Sequence, residues 1–217
     1  MAHISGATAL SFNLRYYKKH AHEFSKKTEN LDLDNIRQLF IHHLSPGARI
    51  LDLGCGSGRD SVAFLSAGYK VTAIDASPAM VHLALKLGIK ARVMKFDEMR
   101  FKSEFDGIWA CASLLHVPKK EISSVLIRCE KALKPGGIFF ITLKEGTGER
   151  IAEDERFFSY YKLEEFMTLL SKVGEWSKIE GQREELELTR PWLNVLARKA
   201  VSKGNCRMDL CASKIKG

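Results

Sequence analysis

Ile50-Leu51-Asp52-Leu53-Gly54-Cys55-Gly56-Ser57-Gly58-Arg59-Asp60 is the stretch that decides the fold of this 217-residue chain. Ile50 to Leu53 has the apolar, branched character of a buried strand, three glycines follow at alternate positions, and helix-forming sequence begins at Arg59. A strand that runs through such a loop into a helix brings backbone close to a ligand at the carboxyl edge of a sheet, which describes a nucleotide-type pocket. The pattern stops short of the dinucleotide fingerprint G-x-G-x-x-G, because Arg59 occupies its third glycine position, and this makes NAD the weaker reading.

Seventeen residues past Gly58, Asp75 closes the run Val71-Thr72-Ala73-Ile74, where a carboxylate can accept two hydrogen bonds from a ribose diol. The competing role for Asp75 is to cap the next helix, but Ser77 ahead of Pro78 is a sufficient cap by itself. An adenosine-containing ligand is therefore expected.

Outward from this centre, apolar runs alternate with helical patterns, the mark of an α/β chain with a mostly parallel sheet. Strands are expected at Arg49 to Leu53, Lys70 to Ile74, Ala91 to Lys95, Phe105 to Cys111, Gly137 to Leu143, Trp176 to Arg183 and Trp192 to Lys199. Helices fall between them at Arg59 to Ala67, Pro78 to Leu87, Lys119 to Leu133 and Lys162 to Val173, the third stopped by the turn Pro135-Gly136-Gly137. Two more helices, Phe12 to Phe24 and Leu31 to Leu44, precede the sheet. The organisation expected is a helical cap over residues 1–44, a ligand-binding domain over 45–200 and a basic, flexible tail over 201–217.

Five segments in order resemble the class I S-adenosylmethionine-dependent methyltransferases, over about Tyr16 to Lys199. Leu51 to Gly58 is similar to the first motif of that family, and Asp75 to its ribose-binding acid. Phe96-Asp97-Glu98-Met99 resembles the adenine-contacting segment, Phe105 to Ala112 the fourth strand and its exit, and Leu133-Lys134-Pro135-Gly136-Gly137 the turn into the fifth. The resemblance implies a Rossmann-like, seven-stranded sheet in the order 3-2-1-4-5-7-6 with the seventh strand antiparallel, and a methyltransferase with S-adenosylmethionine as cofactor. It implies cofactor contacts from Tyr17, Asp52, Gly54, Gly56, Gly58, Asp75, Asp97, Glu98, Met99, Cys111 and Ala112, with Asp97 accepting from the adenine amine and the Glu98 amide meeting a ring nitrogen. The Gly-Ser-Gly-Arg-Asp run and Tyr16-Tyr17 resemble the small-molecule and tellurite-type members, which points to a small-molecule acceptor.

Methyl transfer asks mainly for alignment, since a sulfonium is already an activated electrophile. A hydroxyl or amine acceptor also needs a base, for which His116 is the candidate; a thiolate, or a selenium or tellurium anion, does not. Because Leu114-Leu115-His116-Val117 is an apolar wall, a soft or self-ionised acceptor is favoured. Phe157-Phe158-Ser159-Tyr160-Tyr161, after a loop from Glu145 to Arg156, either lines the acceptor pocket or packs the next helix. The exit Ala110-Cys111-Ala112-Ser113 lacks the motifs of enzymes that methylate DNA bases.

With 45% hydrophobic and 28% charged residues, the composition is that of a folded chain. The net charge is +8, of which Arg198 to Gly217 carries +5; that tail keeps nucleic acid open as a partner, but without an aromatic residue to stack a base it argues for solvation instead. A protein-directed methyltransferase, or a module that holds the cofactor without turnover, stands as a further alternative. Five scattered cysteines imply reduced thiols and no metal site. No apolar run approaches a bilayer span and no secretory leader is evident, so a cytoplasmic location without membrane attachment is expected.

Overall fold

The computed structural model describes residues 5–185 and 191–201. Its elements are α1 (Gly6–Glu29), α2 (Asp34–Ile41), β1 (Arg49–Leu53), α3 (Arg59–Ser66), β2 (Lys70–Asp75), α4 (Pro78–Lys86), β3 (Ala91–Val93), β4 (Phe105–Ala110), α5 (Lys119–Ala132), β5 (Leu133–Lys144), β6 (Glu149–Ile151), β7 (Phe157–Ser159), α6 (Leu163–Lys172), β8 (Trp176–Glu184) and β9 (Trp192–Lys199), with 3-10 turns at Phe96–Glu98 and Leu114–His116.

The main sheet has the order β3-β2-β1-β4-β5-β9-β8. The first five strands in space are parallel, and β9 runs antiparallel to both β5 and β8. With β8 and β9 as sixth and seventh strands of the sheet, this is the expected 3-2-1-4-5-7-6 order. Chain progression reverses between β1 and β4, so a crevice opens at the carboxyl ends of these strands, where open α/β sheets take their ligands.

Alternation along the central strands supplies two apolar faces. Leu51, Ile108, Phe139 and Ile141 point to a core completed by Ile122 and Leu126 of α5 and Phe166 and Leu170 of α6. Ile50, Trp109, Ile138 and Phe140 point the other way, onto Phe40 of α2 and Phe64 of α3. The Trp109 and Phe140 rings stack with centroids 4.8 Å apart. Gly107 allows this packing, since a Cβ there would lie 2.6 Å from Phe40 Cζ.

Two boundaries differ from expectation for local reasons. The first helix starts at Gly6, not Phe12, because Ser5 Oγ accepts the Thr8 N–H, and it continues to Glu29. The second starts at Asp34 rather than Leu31, because the Asp32 carboxylate takes the Asp34 N–H at 2.9 Å. The segment expected as a loop after the fifth strand contains the hairpin β6–β7, which pairs Glu149 with Ser159 and Ile151 with Phe157. The proposed tail from 202 to 217 lies outside the described residues. No helix among the described residues is long and apolar enough to cross a membrane.

Candidate active site

At the carboxyl end of β1 the chain turns through Gly54 and Gly56, both with positive φ, before α3. Gly54 is obligatory for space as well as for conformation: a Cβ there would lie 2.4 Å from Ser113 Cβ. The loop is tied to β2 through Asp75, whose Oδ2 accepts the Gly56 N–H at 2.9 Å and whose Oδ1 accepts the Ser77 N–H at 2.8 Å. Ser77, with its own hydroxyl on the Met80 N–H, caps α4. Burial pushes the Asp75 carboxyl up, against those two amides.

These residues fit an adenosyl cofactor. Each Asp75 oxygen spends one lone pair on backbone and keeps another for a diol, while Gly56 has open space where its side chain would be. Ser113 Oγ is buried beside the loop and has no hydrogen-bond partner among the described residues, which a polar ligand would supply. Ala112, at φ 52°, holds the exit of β4 in a left-handed conformation that non-glycine residues rarely adopt, fixed by its N–H on Thr142 Oγ1 at 2.8 Å.

Two acids near the loop behave oppositely. Asp52 accepts from Ser61 Oγ at 2.6 Å, and burial together with the nearby Asp60 pushes it up to about 7. Burial would raise Asp60 too, but Arg59 is bidentate on it, Trp109 Nε1 donates at 3.0 Å and Arg37 Nη1 at 2.8 Å, and the net effect holds it below the usual carboxylate range. Arg59 also reaches the Thr28 carbonyl at 3.3 Å, so this cluster fastens α2, α3, β4 and the end of α1 together.

Helix α1 spans the mouth of the crevice. Gly6 N–H bonds Glu121, Asn13 exchanges two hydrogen bonds with the backbone of Phe157, and Ser25 donates to Ser57 in the glycine loop. Midway, the Tyr17 hydroxyl lies 3.1 Å from His116 Nε2, and His116 Nδ1 lies 2.8 Å from the Phe157 carbonyl. A carbonyl can only accept, so Nδ1 carries the ring proton and Nε2 accepts from Tyr17. Burial lowers His116 to about 4, with Arg156 and Lys144 adding to the shift, and burial raises Tyr17 to about 12. Both groups are neutral at physiological pH, and the lone pair that would make His116 a base is already engaged.

The remaining sequence candidates are placed as follows. Asp97 is exposed; the Glu98 N–H donates to the Lys95 carbonyl at 3.1 Å while its carboxylate accepts the Lys95 N–H. The Met99 side chain is buried in the core, and its carbonyl accepts from Arg100 and Arg128. Cys111 receives a hydrogen bond from Thr142, and burial pushes its thiol up to about 12. Gly58, at φ 93°, precedes α3. Phe158 faces His116 with ring centroids 4.9 Å apart, and Tyr161 packs on Phe166 of α6, the packing role considered for the aromatic run.

Sequence reasoning missed Arg156. Its guanidinium lies 4.5 Å from the Tyr16 ring centre, 5.1 Å from Phe158 and 5.6 Å from Phe24, and it hydrogen-bonds to Tyr17. A cation directly before an aromatic run was the available signal.

A glycine-rich loop tied to the half-buried carboxylate of Asp75, at a switch-point crevice covered by α1, belongs to a Rossmann-like fold. Residues 50–137 match the family model described as a methyltransferase domain. A ubiquinone biosynthesis O-methyltransferase of Xanthomonas campestris is 34% identical over 105 residues, 45% of this chain and 43% of that protein, so the match spans less than half the length of this curated relative. Among solved structures, the Burkholderia thailandensis 1,6-didemethyltoxoflavin-N1-methyltransferase, with bound 1,6-didemethyltoxoflavin and S-adenosylhomocysteine, superposes with a TM-score of 0.76 at 23% identity, covering 92% of each chain. A methyltransferase of Methanosarcina mazei gives 0.68 at 22% identity, over 79% of this chain and 100% of its own. Residues 50–137 thus match a methyltransferase domain, and the chain has the Rossmann-like fold of these solved methyltransferases.

Proposed function

We propose that this chain moves the methyl group of S-adenosylmethionine to a small-molecule acceptor by in-line displacement, in the cytoplasm. The observation that carries the reading is the crevice at the β1–β4 switch point. Its half-buried Asp75 is tied to Gly56, its Ser113 hydroxyl lacks a partner among the described residues, and α1 covers it from Asn13 to Ser25. The Burkholderia thailandensis neighbour carries a small-molecule acceptor in its name and the Xanthomonas relative is named for ubiquinone biosynthesis, which supports a small acceptor here.

Bound S-adenosylmethionine supplies a methyl group on a sulfonium sulfur. The residues of the chain have the simpler tasks of holding and enclosing: Asp75 takes the ribose hydroxyls, Gly54, Gly56 and Gly58 admit the ligand to the backbone, and Ser113 satisfies a polar atom. Tyr17, pinned by His116, closes the mouth against water. His116 acts as a positioning residue, because its Nε2 lone pair holds Tyr17, and so the acceptor brings its own ionised or soft nucleophile.

Calorimetry of the full chain tests the reading. S-adenosylmethionine and S-adenosylhomocysteine should bind and NAD should not. Asp75→Ala should weaken the adenosyl ligands by about 1.5 to 3 kcal/mol, the range for hydrogen bonds to a charged group. Tight NAD binding, or no adenosyl binding, overturns the reading.

A further inference from the structure

A groove of about 340 Å³ lies between residues 99–102, ahead of β4, and α5. Eight residues line it; four are cations, Arg100, Lys102, Arg128 and Lys131, and none is acidic. Arg128 and Lys131 share a face of α5 with Ser124, because they follow it by one and two helical turns. Two of the guanidiniums meet at one oxygen. Arg100 Nη1 donates to the carbonyls of Asp97 and Met99 at 2.8 and 2.9 Å, and Arg128 Nη1 donates to the same Met99 oxygen at 3.0 Å. A backbone carbonyl fixes a guanidinium without neutralising it, and Nη2 of each has no bond among the described residues.

The carboxylates nearby are engaged elsewhere. Glu98 pairs with Lys95, Glu104 accepts the Lys102 N–H and pairs with Arg49, Glu121 takes the Gly6 N–H and Glu130 pairs with Lys199. Asp97 is exposed and lends Arg100 its carbonyl. The negative end of α5 is covered as well, since the Lys131 and Ala132 carbonyls accept the Ser103 and Glu104 N–H groups at 2.8 Å each. Among the described residues, none of the four cations has a carboxylate partner.

We infer that this groove is a second ligand site, separate from the crevice, for a small molecule carrying two adjacent phosphate groups. The inference goes beyond methyl transfer and does not depend on it. Two pinned guanidiniums present forks that match phosphate oxygens, and two lysines add charge for a second phosphate. Ser124 is exposed and adds a hydroxyl donor. Phe101, held edge-on to Phe105 with ring centroids 5.1 Å apart, and the partly exposed Ile127 offer an apolar margin for the organic part of the ligand. The volume falls at the lower end of the range of about 300 to 1,000 Å³ for small-molecule pockets, which suits a nucleoside diphosphate or something smaller.

The test is calorimetry on the full chain saturated with S-adenosylhomocysteine, which keeps the crevice occupied. Inorganic pyrophosphate and uridine diphosphate are the probes, and sulfate is the single-anion control. Each diphosphate should bind at one site per chain, about tenfold or more tightly than sulfate, and more weakly as salt rises. Either order of the two probes supports the site, and the order tells whether the organic part of the ligand is gripped. Exchanging the exposed Lys102 and Lys131 together for Gln should weaken diphosphate binding about tenfold or more, while S-adenosylhomocysteine affinity stays within about threefold. Arg128→Gln should act in the same direction. Exchanging Lys86 and Lys178, exposed cations outside the groove, should leave diphosphate affinity within about twofold, which separates the site from net charge. The inference is overturned if neither diphosphate binds, if sulfate binds equally well, or if the groove variants lose no more than the Lys86 and Lys178 control. A uridine oligonucleotide that binds where pyrophosphate does not also overturns it, because the groove is then a nucleic-acid face. If S-adenosylhomocysteine itself fails to bind, the methyltransferase reading falls, and the same variants titrated without it still decide the groove.

Discussion

The Asp60 cluster and the Tyr17–His116 pair are both buried polar networks at one edge of the sheet, and they are built on opposite electrostatic terms. Asp60 is charged and surrounded by two guanidiniums and an indole N–H; its desolvation is offset by partners from α2, α3 and β4. Tyr17 and His116 are both neutral and share a single hydrogen bond across 99 residues of sequence. Charge fully paired in a dry site resists separation, because opening it strands an ion. A neutral bond can open to water at a cost of about 0.5 to 1.5 kcal/mol. The first network therefore belongs to the permanent frame, and the second to a part that has to move if ligands are to enter.

The largest effect should come from breaking the charged side. Asp60→Ala leaves Arg37, Arg59 and Trp109 without their shared acceptor and should cost about 3 to 5 kcal/mol in chemical denaturation. A loss under 1 kcal/mol would mean that the cluster is no firmer than the Tyr17 latch, and the contrast would collapse.

Next is the pH dependence of the neutral side. His116 has a folded pKa near 4, below its ordinary 6.5, so between these values the unfolded chain binds the extra proton. Stability from this residue is intact above about pH 6.5 and is lost as pH falls towards 4, by about 3 kcal/mol from the size of the shift. His116→Gln should remove that part of the acid sensitivity, measured as the difference between wild-type and variant unfolding curves at several pH values. Asp52 titrates in the opposite sense over an overlapping range, since its raised pKa makes stability fall as pH rises from 3.8 towards 7, and the subtraction cancels it.

For turnover, His116→Ala should stay within about tenfold of wild type with an acceptor that is already ionised, where a general base would cost at least about 100-fold. The smallest effect is expected for Tyr17→Phe, about 1 kcal/mol in global stability. Hydrogen exchange should quicken in the middle of α1 and remain unchanged in α3. Uniform quickening in both helices would mean that the two networks open together.

Much of this was legible in the sequence, because parallel strands buried on both faces read as apolar runs and glycines at alternate positions mark the turn they require. All seven strands of the main sheet were expected within a few residues, whereas the hydrogen bond from Gly56 to Asp75 was not. The hairpin β6–β7 was not, since three-residue strands show too little alternation to separate from a loop. The partners of His116 were also out of reach: Tyr17 and Phe157 lie 99 and 41 residues away, and nothing local records a bond made by tertiary packing. Arg59-Asp60 was read as a pattern shared with small-molecule methyltransferases, and only the structure shows it to be a clamp on Trp109, Arg37 and the end of α1.

One atom, the Phe157 carbonyl oxygen, is bonded by both Asn13 of α1 and the ring of His116, while the N–H of the same residue holds Asn13 in return. The cover helix and the hairpin are thus fastened at a common point, and neither swings away without loosening the other. On the proposed function, this single anchor predicts compulsory-order kinetics: the ligand beside Asp75 should bind before the acceptor and leave after it, and random-order kinetics would show that helix and hairpin open independently.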